Sequence, residues 1–325
     1  MKFKLHRRKF FHLAVGTAVL PTLSRIAAAQ LYPTRTVHIV SGYPPGIAPD
    51  ITARLVAQSL SERLGEQVVV ENRLGASSNI AAEVVVRAAP DGYTLLGVTV
   101  TNTVNATLYP KLSFDFIRDI EPVVGYFRSP NVIVVNPLFP AKTLGEFVDY
   151  AKAHPGKINY ASNGPGSMPQ ITCELFKAMT GIELFHVPYR GSYMPDLLGG
   201  QVQVAFNSPV TTMGSIQSGQ LRALAVTSTK RLDALPDVPT VAEFVPGYEA
   251  YVWHGIGAPK GTPMEIISKL NKEINAVIAD PKIIKRFAEL GGVPLGGSPA
   301  EFRKLIADET DKWGKVIRAA GIKAE

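Results

Sequence analysis

The sequence predicts an α/β protein of two domains, and three observations predict it. Short β-rich runs alternate with segments whose apolar residues recur at helical spacing, the pattern of layered strands and helices with mostly parallel pairing. A chain of 325 residues is long enough for two ordinary cores. One arrangement, strand then Gly/Pro loop then helix, also occurs twice, as IVSGYPPGIAPDITARL from Ile39 and NYASNGPGSMPQITCELF from Asn159. A separation of about 120 residues is the spacing expected if each domain contributes one such loop to a shared cleft.

The first 29 residues read as an export signal. A charged start, MKFKLHRRKFF, precedes an apolar stretch from Leu13 to Leu20, and Ala27-Ala28-Ala29 offers a small-residue cleavage site before Gln30. The apolar part is too short to stay in a bilayer as a spanning helix. Arg7-Arg8-Lys9-Phe10-Phe11 resembles a twin-arginine signal, and an ordinary Sec signal carrying two arginines is the alternative. Both end outside the cytoplasm. This leader also explains the formal charge of +7: it holds six of the 34 Lys and Arg and no acid, so 28 basic residues face 27 acidic ones in the rest. Nothing remains that would neutralise a nucleic-acid backbone broadly.

After the leader, strands are expected at Val37 to Val40, Gln67 to Glu71, Thr94 to Val98, Val132 to Asn136, Ile158 to Ala161, Val202 to Phe206 and Leu221 to Thr227. Helices fill the gaps. Leu55, Val56, Leu60 and Leu64 form the stripe of the first. Late in the chain Ile266, Ile267, Leu270, Ile274, Val277 and Ile278 form another, with Pro263 at its start and Pro281 beyond its end. A last helix is expected from about Pro299 to Ala320, with Phe302, Leu305, Ile306, Trp313, Val316 and Ile317 inward. Ser129-Pro130 and the stretch around Val245-Pro246-Gly247 are candidate crossings between domains. No later segment reaches 18 consecutive apolar residues, so stable membrane insertion is not expected.

The two loops are the candidate site. Backbone N–H groups at a helix start lack partners and sit at the positive end of the helix dipole, so a carboxylate there is stabilised without a basic side chain. Gly46 lets the backbone approach closely, and Pro44, Pro45 and Pro49 hold the loop in shape before ligand arrives. Asp50 is a good N-cap and would repel an anion set too near, which points to the amides from Gly46 to Ala48 as donors. Ser162, Asn163, Gly164, Gly166 and Ser167 supply hydroxyls, an amide and flexible backbone before the second helix. Either loop alone is also accounted for by ordinary turn chemistry.

Signatures of catalysis are missing from the sequence. It has no Gly-x-Ser-x-Gly elbow, no Walker lysine loop, no Gly-x-Gly-x-x-Gly after the first strand and no His-Glu-x-x-His. His38, His154, His186 and His254 are scattered, and structural histidines are the expectation. Cys173 is the only cysteine, set in a helical pattern where a buried thiol is usual. No catalytic residue, metal ligand set or cofactor is expected.

Read in order, the segments resemble the Bug receptors, the extracytoplasmic substrate-binding proteins of tripartite tricarboxylate transporters. The matching segments include Tyr43-Pro44-Pro45-Gly46 with Asp50 and Ala53-Arg54, VVVENRLGA, PDGYTLL, HVPYRG, DLLGGQVQVAF, LRALAVTSTKR, LPDVPTVAEFVPGYEAYVWHGIGAPKGTP and KWGKVIRAAGI. The resemblance implies a type II periplasmic binding protein fold, two α/β domains with a ligand cleft between them. Residues 30–130 plus 253–325 would form domain 1, and 131–252 domain 2. It implies a periplasmic monomer that closes on a small carboxylate: a di- or tricarboxylate, an acidic amino acid or an aromatic acid. Delivery would be to the two membrane subunits of the transporter. A receptor feeding a membrane sensor kinase is the alternative, with an exported hydrolase or lyase further off.

By the same resemblance Tyr43, Pro45, Gly46, Ile47, Ala48 and Asp50 form one wall of the cleft. Ser162, Asn163, Gly164, Gly166 and Ser167, with Tyr189, Arg190 and Gly191, form the other. Asn207 and Ser208 end a strand at the rim, and Thr101 with Asn102 supplies a polar contact. Arg190 either faces a distal carboxylate or ties the loop to its own domain, and Tyr43 and Tyr193 either stack on a ligand or pack locally. The chain departs from the family pattern at Ile47 (usually glycine), Gln170 (often histidine), the short segment before Asp196, and His254 (usually aromatic).

Overall fold

The structure, a computed structural model, describes residues 32–189 and 191–324, so the expected export signal lies outside it. Two sheets organise the chain, and the first begins as a parallel strand–helix–strand unit. β1 (Val37–Ser41) leads through α1 (Ala48–Leu64) to β2 (Val68–Asn72), and α2 (Asn79–Val86) leads on to β3 (Thr94–Thr99). β1 pairs in parallel with both β2 and β3. Helix α3 (Val100–Leu108) follows β3 directly, and a short α4 (Phe116–Asp119) precedes the long β4 (Ile120–Pro130). β10 (Tyr251–Pro259) lies antiparallel between β3 and β4, and the two-residue β11 (Val293–Pro294) extends the sheet at β4, giving the order β11-β4-β10-β3-β1-β2.

The second sheet takes the intervening chain. β5 (Val132–Val135), α5 (Leu144–Ala153), β6 (Asn159–Ser162), α6 (Met168–Thr180), β7 (Phe185–Pro188), α7 (Met194–Leu198), β8 (Val204–Asn207), α8 (Pro209–Gln217) and β9 (Arg222–Val226) assemble in the strand order β7-β6-β8-β5-β9. Only the β6 pairings are parallel. β5 runs antiparallel to β8 and to β9.

The expectation of mostly parallel strands is therefore corrected: both sheets are mixed. The strands that mix the first one, β4 and β10, carry Pro122, Gly125 and Pro130, and Gly255 and Gly257. Those residues punctuate a sequence pattern and hid the strands. Packing explains the glycines. A Cβ at Gly255 would lie 2.2 Å from the Phe302 ring and 2.7 Å from the Val124 carbonyl oxygen.

Helices α9 (Met264–Ile278), α10 (Pro281–Glu289) and α11 (Pro299–Ala320) close the fold. Ser298 and Glu301 form a capping box at the start of α11. Pro281 opens a helix of its own, with Asp280 accepting the Lys282 N–H at its cap. The inward stripe of α11 is buried as expected, apart from Leu305, which is half-buried. One apolar core runs from Val98 and Ile120 of the first sheet to Ile133, Tyr160 and Phe206 of the second, with Trp253, Phe302 and Trp313 between them.

The chain leaves the first sheet after Pro130 and returns before Tyr251. Buried Thr227 joins both passages: its Oγ1 accepts the Asn131 N–H at 2.7 Å and donates to the Ala250 carbonyl at 2.7 Å. Thr227→Val keeps the shape and strips both bonds, leaving a buried donor and a buried acceptor unpaired. It is expected to lower stability by about 2 kcal/mol, read in urea denaturation.

Candidate functional site

The cleft lies where the ends of β1 and β3 face the loop after β6. It has two adjoining chambers. The smaller, about 260 Å³, is lined by Gly42, Tyr43, Gly75, Ser77, Ser78, Thr101, Asn105 and Leu108 on one side and by Asn163, Pro165, Gly166 and Ser167 on the other. The larger, about 450 Å³, shares Ser77, Asn163 and Pro165 and adds Tyr109, Gly164, Pro188, Tyr189 and Ala324. None of these lining residues carries a charge.

Three helices start on the smaller chamber. Ser78 is the N-cap of α2, Ser167 the N-cap of α6, and Thr101 sits in the first turn of α3. None of the three residues spends its side chain on capping its own helix. Positive helix ends thus surround the cavity and favour an anion in it.

Of the expected first wall, only Tyr43 reaches the cavity, beside Gly42. Tyr43 Oη donates to Thr101 Oγ1 at 2.7 Å and lies 2.9 Å from Thr99 Oγ1, so the ring packs locally against the β3–α3 junction. Pro45, Gly46, Ile47 and Ala48 are exposed and do not line either chamber. Asp50 is not the N-cap expected of it: Ile47 holds that position, and Asp50 is the third residue of α1. Its carboxylate, 2% exposed, accepts the Gly46 N–H at 2.9 Å, Arg54 Nε at 3.0 Å and Asn72 Nδ2 at 2.8 Å. Burial pushes the Asp50 carboxyl up, and these donors override it and hold it below the usual range. Because Gly46 N–H is engaged inside the loop, the remaining donors there are the Ile47 and Ala48 amides.

The second wall meets the cavity more fully. Gly164 and Gly166 adopt φ 97° and 73°, and a Cβ on Gly166 would lie 2.4 Å from Leu108 across the cleft. Only glycine satisfies both the turn and that approach. Asn163 is exposed on both chambers, while Ser162 is fully buried. The Gly166 N–H is taken by Gln170 Oε1 at 2.7 Å, and Ser167 Oγ donates to the Gly164 carbonyl at 2.7 Å. Tyr189 lines the larger chamber and donates to Asp196 Oδ2 at 2.6 Å, a bond that pushes the phenol up to about 12. Tyr193 is buried edge-on against it. Arg190 lies outside the described residues.

The remaining expected residues are engaged elsewhere. Asn102 Oδ1 accepts the Thr99 N–H within the cap of α3. Gly191 is exposed, Asn207 Oδ1 accepts the Ser208 N–H, and Ser208 stands at the N-cap position of α8 without a side-chain capping bond; none of these lines a chamber.

Sequence reasoning missed the turn Gly75–Ser78 and the helix residues Asn105 and Leu108. Ala76, Ser77 and Ser78 hold φ of 45°, 52° and 74°, a left-handed run rare for residues with a side chain. Their polar letters carry no mark of it. The sequence also gave no sign that Ser162 and His186 would meet. Ser162 Oγ lies 2.6 Å from His186 Nε2, and Gln170 Nε2 is 3.3 Å from His186 Nδ1. Burial pushes the imidazole down, against the raising effect of Glu174. The pair fixes the loop, since Ser162 Oγ also accepts the Gly164 N–H at 3.1 Å. Cys173 is buried and its thiol is pushed up by that burial, so it is not a nucleophile in waiting. Among the described residues no group of His, Cys, Asp and Glu is placed to hold a metal, and no helix is long and apolar enough to cross a membrane.

Comparison with known proteins gives a consistent result. Residues 52–322 match the model of the tripartite tricarboxylate transporter family receptor. The protein BugT of Bordetella pertussis is 36% identical over 301 residues, covering 91% of this chain and 92% of BugT. Among solved structures, a periplasmic transporter is 40% identical with a TM-score of 0.78, over 90% of this chain and 99% of that one. An R. palustris protein solved with adipate is 36% identical with a TM-score of 0.79, at the same coverage.

Proposed function

Because the chain belongs to the tripartite tricarboxylate transporter receptor family, we propose that it is a periplasmic receptor that captures a small carboxylate and delivers it to the two membrane subunits of such a transporter. The observation that carries this reading is the cleft itself, on which three helix starts converge and whose lining residues are all uncharged. A carboxylate there is held by dipoles and hydrogen bonds. Bonds to a charged group contribute roughly 1.5–3 kcal/mol each, and micromolar affinity needs about 8 kcal/mol. Three or four bonds with modest apolar contact reach that figure. The smaller chamber, about 260 Å³, lies just under the usual range of ligand pockets and suits a metabolite of few carbons. Adipate in the R. palustris relative is such a ligand.

In this reading residues 30–130 plus 253–325 form one domain and 131–252 the other, and closure of the two buries the ligand. Tyr43, Thr101, Asn163, Gly166, Ser167 and Tyr189 act as walls, joined by Ser77, Ser78 and Asn105. The protein binds and does not convert. Supporting that, the Ser–His pair found in this region among the described residues, Ser162 with His186, lines neither chamber, and Ser162 is fully buried. A nucleophile must touch its substrate.

Thermal shift of the mature protein against a carboxylate panel tests the proposal. A ligand at 100 times its dissociation constant is expected to stabilise by about 2.7 kcal/mol. Absence of a shift with every carboxylate, or consumption of a hit during incubation, would refute it.

A further inference from the structure

We propose that the receptor selects a hydroxycarboxylate, and that Asn105 of α3 and Ser78, at the entrance to α2, read the ligand's hydroxyl. This rests on the carboxylate reading above and names its class of ligand. Three buried polar atoms of this region have no hydrogen-bond partner among the described residues: Ser78 Oγ, Asn79 Nδ2 and Asn105 Oδ1. Their residues are 2%, 6% and 1% exposed. Ser78 and Asn105 line the smaller chamber, and Asn79 stands behind Asn105, bonded to it.

The hydrogen-bond network fixes both amide orientations. Asn105 Nδ2 donates to the Ser77 carbonyl at 2.7 Å and to Asn79 Oδ1 at 2.9 Å. The carbonyl end of Asn105 and the amino end of Asn79 are therefore the ends left over. Asn105 Oδ1 only accepts and Asn79 Nδ2 only donates, while Ser78 does either. Only Asn105 and Ser78 of the three line the chamber, and an ionised carboxylate there has no proton for the Asn105 acceptor. A hydroxyl beside it supplies that proton. An ammonium would supply one too, but no Asp or Glu lines the chamber to balance its charge, and Asp50 is turned to Arg54 and Asn72. The neutral donor fits this wall. A wall with such groups rejects the analogue that leaves them unpaired.

The test is calorimetric titration of the mature protein with matched acids that differ by the hydroxyl: L-malate and succinate, citrate and tricarballylate, mandelate and phenylacetate. L-Aspartate is titrated as the ammonium counterpart of malate. The hydroxy member of the best-bound pair is expected to bind about tenfold tighter or more. Ser78→Ala is expected to shrink that preference to within about threefold, with an unchanged or higher melting temperature because an unpaired hydroxyl is removed. Equal binding of the deoxy partner, or aspartate binding tighter than malate, overturns the hydroxyl assignment and leaves the carboxylate reading standing. Binding of none of these acids overturns the hydroxyl assignment, and the carboxylate reading is then decided by the thermal-shift panel.

Discussion

Asp50→Ala is expected to destabilise the protein by about 3 kcal/mol and to weaken ligand binding at the same time. The carboxylate is buried and holds three separate parts: Gly46 N–H of the first loop, Arg54 of α1, and Asn72 at the end of β2. Asn72 Nδ2 also donates to the Tyr43 carbonyl at 2.8 Å, so loosening it frees the residue that enters the cleft. Hydrogen bonds to charged groups contribute more than neutral ones, and removing the acceptor leaves the Asn72 and Gly46 donors exposed to an unfavourable site. Arg54 is half-exposed and regains water, which keeps the loss below that of a fully buried pair. Urea denaturation measures the first effect and titration with the best carboxylate the second. Because the Asp50 carboxyl titrates below the usual range, its contribution is complete above the unfolded pKa near 4. It is lost as pH falls through the folded value.

The second large effect is acid destabilisation through His254. The imidazole is 1% exposed, stacked at 5.1 Å on Phe127 with Tyr126 at 6.3 Å, and its Nδ1 lies 2.9 Å from Thr52 Oγ1. Nε2 has no partner among the described residues, so a proton there has nothing to receive it. Burial lowers the pKa to about 3. The unfolded chain, with a histidine near 6.5, takes up its proton first. Stability is therefore whole above about pH 6.5 and falls by about 1.4 kcal/mol per unit as pH drops from there toward the folded value. Between pH 7 and 5 the loss is about 2 kcal/mol. His186 is shifted the same way by partial burial and adds to the wild-type slope, so the diagnostic quantity is a difference. His254→Phe keeps the stack and has no proton to bind. It is expected to flatten the pH dependence of urea midpoints by that amount, and an unchanged slope would assign the acid loss to other groups.

His254 also shows what the sequence made legible and what it hid. Where the family usually has an aromatic, the imidazole occupies an aromatic's place between Tyr126 and Phe127, and the departure noticed in the sequence has a packing reason. Strands β1, β2, β3 and β5 and helices α9 and α11 were readable because uninterrupted apolar periodicity names them. β4 and β10 were not, since glycines required by the approach of Phe302 and Ile120 look like loop residues until the neighbour is known. The same limit applies to the site. A Gly/Pro loop before a helix is visible in sequence, so the place of both loops was legible, yet of the first expected wall only Tyr43 lines a chamber. Whether an amide is free is decided by a partner: Asp50 occupies Gly46 N–H and Gln170 occupies Gly166 N–H. The turn at Gly75–Ser78 went unread because its left-handed run is imposed by the fold around it.

The core that passes unbroken between the sheets, with Thr227 fastening both chain passages, bears on how heat takes the molecule apart. With Trp253, Phe302 and Trp313 packed by residues of both sheets, the described residues are expected to melt in one cooperative endotherm, and two resolved transitions in calorimetry would count against that shared core.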